Sequence, residues 1–157
     1  MTREELLAVV SMQVPGMQPG TNKQYPEVIV SAAQIHELAQ QLKSHPGTAF
    51  DYLFNETAAD RKDGFHVIYH ITSTLHKHSI MVKVILPDKA NPVISTVSDV
   101  WKAAEFYERE IFDLFGIKFE NHPDLRRILM PGDWEGHPLR KDYQDPETYR
   151  GIKTQES

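Results

Sequence analysis

The sequence predicts an α+β fold: a single domain with a mostly antiparallel sheet, helices packed on one face, and an extended C-terminal tail. Three observations predict it. In residues 65–73, Phe65, Val67, Tyr69 and Ile71 alternate with His66, Ile68, His70 and Thr72, the period of a strand with one buried face. Residues 101–115 carry apolar side chains at helical spacing. Residues 122–149 keep no period, yet hold Leu125, Ile128, Leu129, Trp134 and Leu139 between recurring prolines at 123, 131, 138 and 146. A length of 157 residues suits one core.

In chain order, Thr2 and Glu5 have capping-box spacing ahead of Leu6, Leu7, Val9 and Val10, predicting a helix that ends near Ser11. The segment from Pro15 to Pro26, rich in proline and glycine, is a loop. Glu27–Val30 is a short strand. Ser31 and Gln34 have the spacing of a second capping box, opening a helix through about Leu42 that His45, Pro46 and Gly47 stop. Three strands follow, over residues 49–54, 65–73 and 79–86, and Pro87 to Pro92 forms a turn. Ser98 or Asp99 is placed to cap a helix reaching Phe115, with Gly116 as its left-handed terminator. The predicted domain covers residues 1–119 and the predicted tail residues 120–157. A segment this long without elements of its own is ordinarily functional or a linker, and disordered linkers are poor in large apolar residues. Its composition therefore predicts a tail that orders by lying along another surface.

Composition removes several function classes. The net charge of −5 gives nucleic-acid binding no electrostatic support. The chain has no cysteine, which rules out disulfides, thiolate nucleophiles, cysteine zinc sites and ordinary iron–sulfur ligation by its own residues. That usage fits a reducing compartment. No stretch reaches the ~20 apolar residues that span a bilayer, and Met1 to Met12 is too short and too acidic for a signal peptide. Membrane association is expected only indirectly, through a partner.

The helix over residues 101–115 has two apolar sides. One gathers Trp101, Ala104, Phe112 and Phe115 around Glu105 and Glu108. The other gathers Ala103, Phe106, Tyr107 and Leu114 around Glu110. Lys102, Arg109 and Asp113 form a polar stripe between them. A surface helix needs one apolar stripe, so two imply packing on two sides. Glu108 and Glu110 then need partners, for which Arg109, Arg126, Arg127 and Arg140 are candidates. Partly exposed ion pairs of little energy are an equal alternative.

Catalytic and cofactor motifs are missing. Neither a G-x-G-x-x-G pattern nor a P-loop occurs. His66 and His70 lie four apart on a predicted strand, ~13 Å at ~3.3 Å per residue, too far to share an ion. His76 and His78 belong to a turn and lack a third ligand. Glu108 and Glu110, two apart on a helix, point to different sides and cannot flank one substrate. His122 with Asp124 or Asp133 has no nucleophile beside it.

The run Glu108-Arg109-Glu110-Ile111-Phe112-Asp113-Leu114-Phe115-Gly116, then His122-Pro123-Asp124-Leu125-Arg126-Arg127-Ile128-Leu129, resembles the signature of the 30-kilodalton subunit family of respiratory complex I, the C-type subunit of the bacterial NADH:quinone oxidoreductase. Trp134, His137, Arg140, Lys141, Asp142 and Tyr143 fall in a segment similar to that family's C-terminal tail. The resemblance implies a non-catalytic scaffold subunit in the peripheral arm of a proton-translocating enzyme, at the cytoplasmic face of the bacterial inner membrane. Its tail would wrap the 49-kilodalton-type subunit (the D-type chain), beside iron–sulfur subunits. No cofactor is expected in this chain; FMN and iron–sulfur clusters belong to the partners. The residues from Leu129 to Trp134 also resemble the equivalent subunit of cyanobacterial and plastid complexes, where ferredoxin is the donor, so a ferredoxin-linked complex or a membrane-bound hydrogenase is an alternative. A third reading, a free-standing metal-dependent enzyme, has only scattered histidines and acids behind it.

Overall fold

The computed structural model describes residues 1–154. Its framework is a five-stranded sheet in the order β1-β2-β5-β4-β3, formed by Gln18–Pro19, Glu27–Val30, Ser79–Leu86, Gly64–Thr72 and Tyr52–Arg61 respectively. The β2–β5 pair is parallel; the other pairs are antiparallel. Among the described residues three helices complete the domain: α1 (Arg3–Gln13), α2 (Ile35–Ser44) and α3 (Ala104–Phe115). One continuous core joins Phe65, Val67, Tyr69 and Ile71 of β4 to Leu6 and Val10 of α1, Leu38 and Leu42 of α2, and Ala104, Ile111 and Phe115 of α3. The alternate residues of β4 lie half-buried on the opposite face. The mostly antiparallel α+β architecture is thus the one that the alternation predicts.

The Thr2–Glu5 capping box forms in both directions, and α1 runs two residues past Ser11. The second box does not. Gln34 folds its side chain back to the Ser31 amide at 3.3 Å, but the Ser31 hydroxyl bonds that same side chain at 3.0 Å. The helix amides receive no side-chain cap, and α2 begins at Ile35.

Two further boundaries differ from expectation. The first long strand starts at Tyr52 rather than at residue 49, and it continues to Arg61. A bulge between Leu53 and Asn55 turns both Leu53 and Glu56 inward. The bulge breaks the period of two, and the carboxylate at 56 hides the strand from any hydrophobicity pattern. The hairpin turns at Lys62 and Asp63 into Gly64. There φ is +141°, and an added Cβ would lie 2.2 Å from the Leu86 carbonyl oxygen. Helix α3 starts at Ala104, not near Ser98. Asp99 is engaged by His36 at 2.7 Å, and the Ser98 hydroxyl by Thr96 at 2.8 Å. Neither caps a helix. Successive turns carry the chain from Val97 to Trp101, whose buried ring donates to the Phe50 carbonyl at 2.9 Å.

Two short strands, β6 (Val93–Ser95) and β7 (Lys118–Glu120), pair in parallel on either side of α3 in sequence. They fix where α3 enters and where the following segment leaves. A last hairpin, β8 (Thr148–Tyr149) with β9 (Ile152–Lys153), lies within the tail.

Candidate partner-binding site

Helix α3 and the tail form one unit. The last carbonyls of any helix lack partners within it, and its C-terminus carries partial negative charge. Here the tail supplies the donors. Arg127 Nη1 donates to the Asp113 carbonyl at 3.0 Å, and His137 Nδ1 donates to the same oxygen at 2.9 Å. The Leu139 amide donates to the Leu114 carbonyl at 2.9 Å, and Arg140 Nη1 reaches the Phe115 carbonyl at 3.4 Å. Gly116 ends the helix in the left-handed region, φ +76°, as its position predicts. A Cβ there would stand 2.7 Å from the His137 ring, so the same glycine lets His137 approach.

Asp113 organises the tail's first turn. Its Oδ2 accepts from the amides of Ile128, Leu129 and Met130 at 3.2, 2.7 and 2.8 Å, and its Oδ1 from Arg127 at 2.7 Å. Burial opposes its ionisation. The three amides and the guanidinium outweigh burial and hold the carboxyl below its usual range. Arg127 also donates to the carbonyls of Trp134 and Gly136 at 3.0 and 2.7 Å, drawing the tail into a loop. Arg109 donates to the carbonyls of Arg126 and Arg127, both at 3.2 Å.

The remaining signature residues serve the same unit. His122 donates from Nε2 to the Glu105 carbonyl at 2.9 Å and accepts the Asp124 amide at Nδ1 at 3.0 Å. Asp124 pairs with Arg126 on the surface, and Pro123 before them is exposed. Trp134 donates to the Tyr143 hydroxyl at 3.0 Å. Arg140 spans Asp142 at 3.1 Å and the Lys89 carbonyl at 2.7 Å, with its guanidinium 5.1 Å above the Phe65 ring. The Lys141 amide donates to Asp60 at 2.8 Å.

The charges on α3 are therefore arranged differently from the two-sided expectation. Arg109 and Asp113 are buried rather than exposed in a polar stripe, because the tail lies across them. Glu110 is exposed and needs no partner. Glu108 is buried as expected, but it meets no arginine. It accepts instead from the Val97 amide at 2.8 Å and from the Thr96 hydroxyl. The arginines go elsewhere: Arg127 to Asp113, Arg126 to Asp124, Arg140 to Asp142. Sequence reasoning missed Glu56, Asp60, Lys89 and Thr96. Only the four-residue step from Arg109 to Asp113, facing a tail rich in arginine and amide donors, could have flagged the buried pair.

The histidines follow local hydrogen bonding. His66 pairs with Asp63 at 2.7 Å, while His76 and His78 tie their turn to the Pro46 and Thr48 carbonyls at 2.7 and 2.9 Å. Among the side chains that the α3–tail unit leaves outward are several large apolar ones. Phe106 is 57% exposed, Ile128 39%, Leu129 61% and Leu139 53%.

The geometry thus consists of hydrogen bonds that hold a tail and side chains that face away from it. Residues 28–149 match the family described as respiratory-chain NADH dehydrogenase, 30 Kd subunit. The chain belongs to that family. Its relatives bear this out. The C-type subunit of the NADH-quinone oxidoreductase of Geobacter metallireducens is 46% identical over 132 residues, covering 79% of this chain and 80% of that protein. The C-type subunit of Chloroherpeton thalassium is 47% identical over 106 residues, 66% of this chain and 44% of that one. The C/D-type subunit of Phocaeicola vulgatus is 40% identical over 117 residues, 74% of this chain but 22% of that longer protein. Among solved structures, a chain of the membrane-bound sulfane sulfur reductase, an archaeal respiratory membrane complex, superposes with a TM-score of 0.76 at 28% identity, covering 90% of this chain and 85% of that one. No helix among the described residues is long and apolar enough to cross a membrane.

Proposed function

We propose that this chain is a scaffold subunit in the peripheral arm of a proton-translocating NADH:quinone oxidoreductase, and that the α3–tail unit is where it holds the 49-kilodalton-type subunit. The observation that carries this reading is the orientation of the tail. Asp113 takes three consecutive amides, and the side chains of Ile128 and Leu129 on that turn are exposed, as is Phe106 on α3. Exposed apolar side chains on a tightly bonded backbone suit a protein interface, where apolar anchors supply most of the affinity. Relatives that carry the joint C/D name support the choice of a D-type partner. FMN and iron–sulfur clusters would sit in partner subunits, with neighbouring iron–sulfur chains beside this one. Membrane association, at the cytoplasmic face, would come only through the complex.

The likeness to a chain of the archaeal sulfane sulfur reductase supports a second reading, an equivalent scaffold in a complex with another donor, ferredoxin-linked or hydrogenase-like. Capture of the tagged full-length chain from gently solubilised membranes, with mass spectrometry of its partners, tests both. Recovery of a 49-kilodalton-type subunit with NADH-oxidising subunits is the expected result. Recovery of that subunit without them would favour the second reading, and recovery of the chain alone would overturn both.

A further inference from the structure

Beneath the tail, where α3 rests on β3, lies a group of buried acids that the docking surface does not use. Glu56 of β3 is 2% exposed, and neither of its carboxylate oxygens has a hydrogen-bond partner among the described residues. Its cross-strand neighbour on β4 is Tyr69, fully buried, with a hydroxyl that is also unpartnered. Glu108 of α3, which packs on β3, is likewise fully buried, and its charge acts on Glu56.

We propose that this interface is a proton-binding site, in which Glu56 and Glu108 hold one proton between them and exchange it with solvent through the hydroxyls of Thr96 and Ser98. Few groups face the two acids. From β4 there is only the Tyr69 hydroxyl. From the turn before α3 come the Thr96 hydroxyl and the Val97 amide, both donating to Glu108. Asp99 in that turn adds negative charge, with its carboxylate against His36. From the segment after β7 comes His122, whose Nε2 stands 3.8 Å from Glu108 but donates to the Glu105 carbonyl.

The nearby cations are committed elsewhere: Lys89 to Asp60, Arg127 to Asp113, and Arg109 to tail carbonyls. A carboxylate buried without donor or counter-charge is too costly to stay ionised, so it keeps its proton. Two acids in one site also resist ionising together. Burial raises the Glu108 carboxyl to about 7 even against its two donors, but Glu56 has no donor at all, so the proton rests on Glu56. Burial first, and then the Glu108 charge, push the Glu56 carboxyl well above the usual range.

The route outward is short. Thr96 Oγ1 lies 2.8 Å from Ser98 Oγ, and Thr96 lines an open cleft of about 470 Å³ with His36, Asp99 and Asn121. A proton taken up in folding has a defined sign. Stability is greatest below the pH at which an unfolded glutamate ionises, about 4.3, and falls as the pH rises toward the folded values. The proton therefore helps to keep α3, and the tail it carries, seated on the sheet.

Carbon-13 spectroscopy of the full-length chain, labelled at glutamate carboxyls, reads this directly. One carboxyl is expected at the protonated shift near pH 7, assigned by its loss in Glu56→Gln and retained in Glu108→Gln. The thermal midpoint of the wild-type chain is expected to fall from about pH 5 to about pH 8, with the fall clearly smaller in Glu56→Gln. Should Glu56→Gln not fold, the Glu108→Gln spectrum still decides. All glutamates at the ionised shift near neutral pH would overturn the proposal, by placing ordered water rather than a proton between the acids.

Discussion

Asp113→Ala is expected to destabilise the chain by about 3–5 kcal/mol, the usual cost of removing one partner from a buried ion pair. Four donors converge on this carboxylate: the Arg127 guanidinium and the amides of Ile128, Leu129 and Met130. Alanine would leave them facing a void and uncouple the tail's first turn from α3. Amide hydrogen exchange at residues 128–130, measured beside denaturant unfolding, checks both effects. Unchanged protection of those amides would contradict this role of Asp113. The pH dependence has the sign of a depressed carboxyl. The contribution is present above the unfolded value, near 3.9, and is lost as pH falls through the lower folded value. The acid limb of the wild-type stability curve should therefore flatten in the variant.

Phe65→Ala is expected to cost about 3–5 kcal/mol, as for other buried aromatic truncations. The ring is fully buried and meets Phe115 of α3 edge-on at 6.1 Å. Arg140 stands over it at 5.1 Å, and Lys89 at 5.7 Å. One residue of the central sheet thus supports the end of α3 and the arginine that pins the tail. Equilibrium unfolding should show the loss, with Phe65→Leu clearly milder. A loss under about 1 kcal/mol in the alanine variant would mean that the site collapses to fill the space.

Much of this architecture was legible in the sequence, for physical reasons. Residues 79–86 and 27–30 read as strands because their apolar runs are broken only at Lys83, and both have those bounds in the structure. The end of α3 was legible because Gly116 is the residue type that a left-handed terminus prefers. What escaped was polar and non-local. Ser98 and Asp99 have the chemistry of caps, but tertiary partners take their side chains. Glu56 reads as a solvated residue because only the bulge at Leu53 and Asn55 turns it inward. The signature acids and arginines were legible as a set, but not their pairing. Each arginine has several carbonyls or acids in reach, and only the path of the tail decides among them.

In the proposed function, the tail fixed on α3 presents Ile128 and Leu129 to a partner. Replacing both by serine tests it most directly. Both side chains are exposed, so thermal stability should stay close to that of the unaltered chain. Affinity for the 49-kilodalton-type subunit recovered with the unaltered chain, measured by titration calorimetry, should fall by tenfold or more, roughly the loss of one interface anchor. A double variant that folds normally and binds with undiminished affinity would contradict the claim and place the interface elsewhere on the molecule.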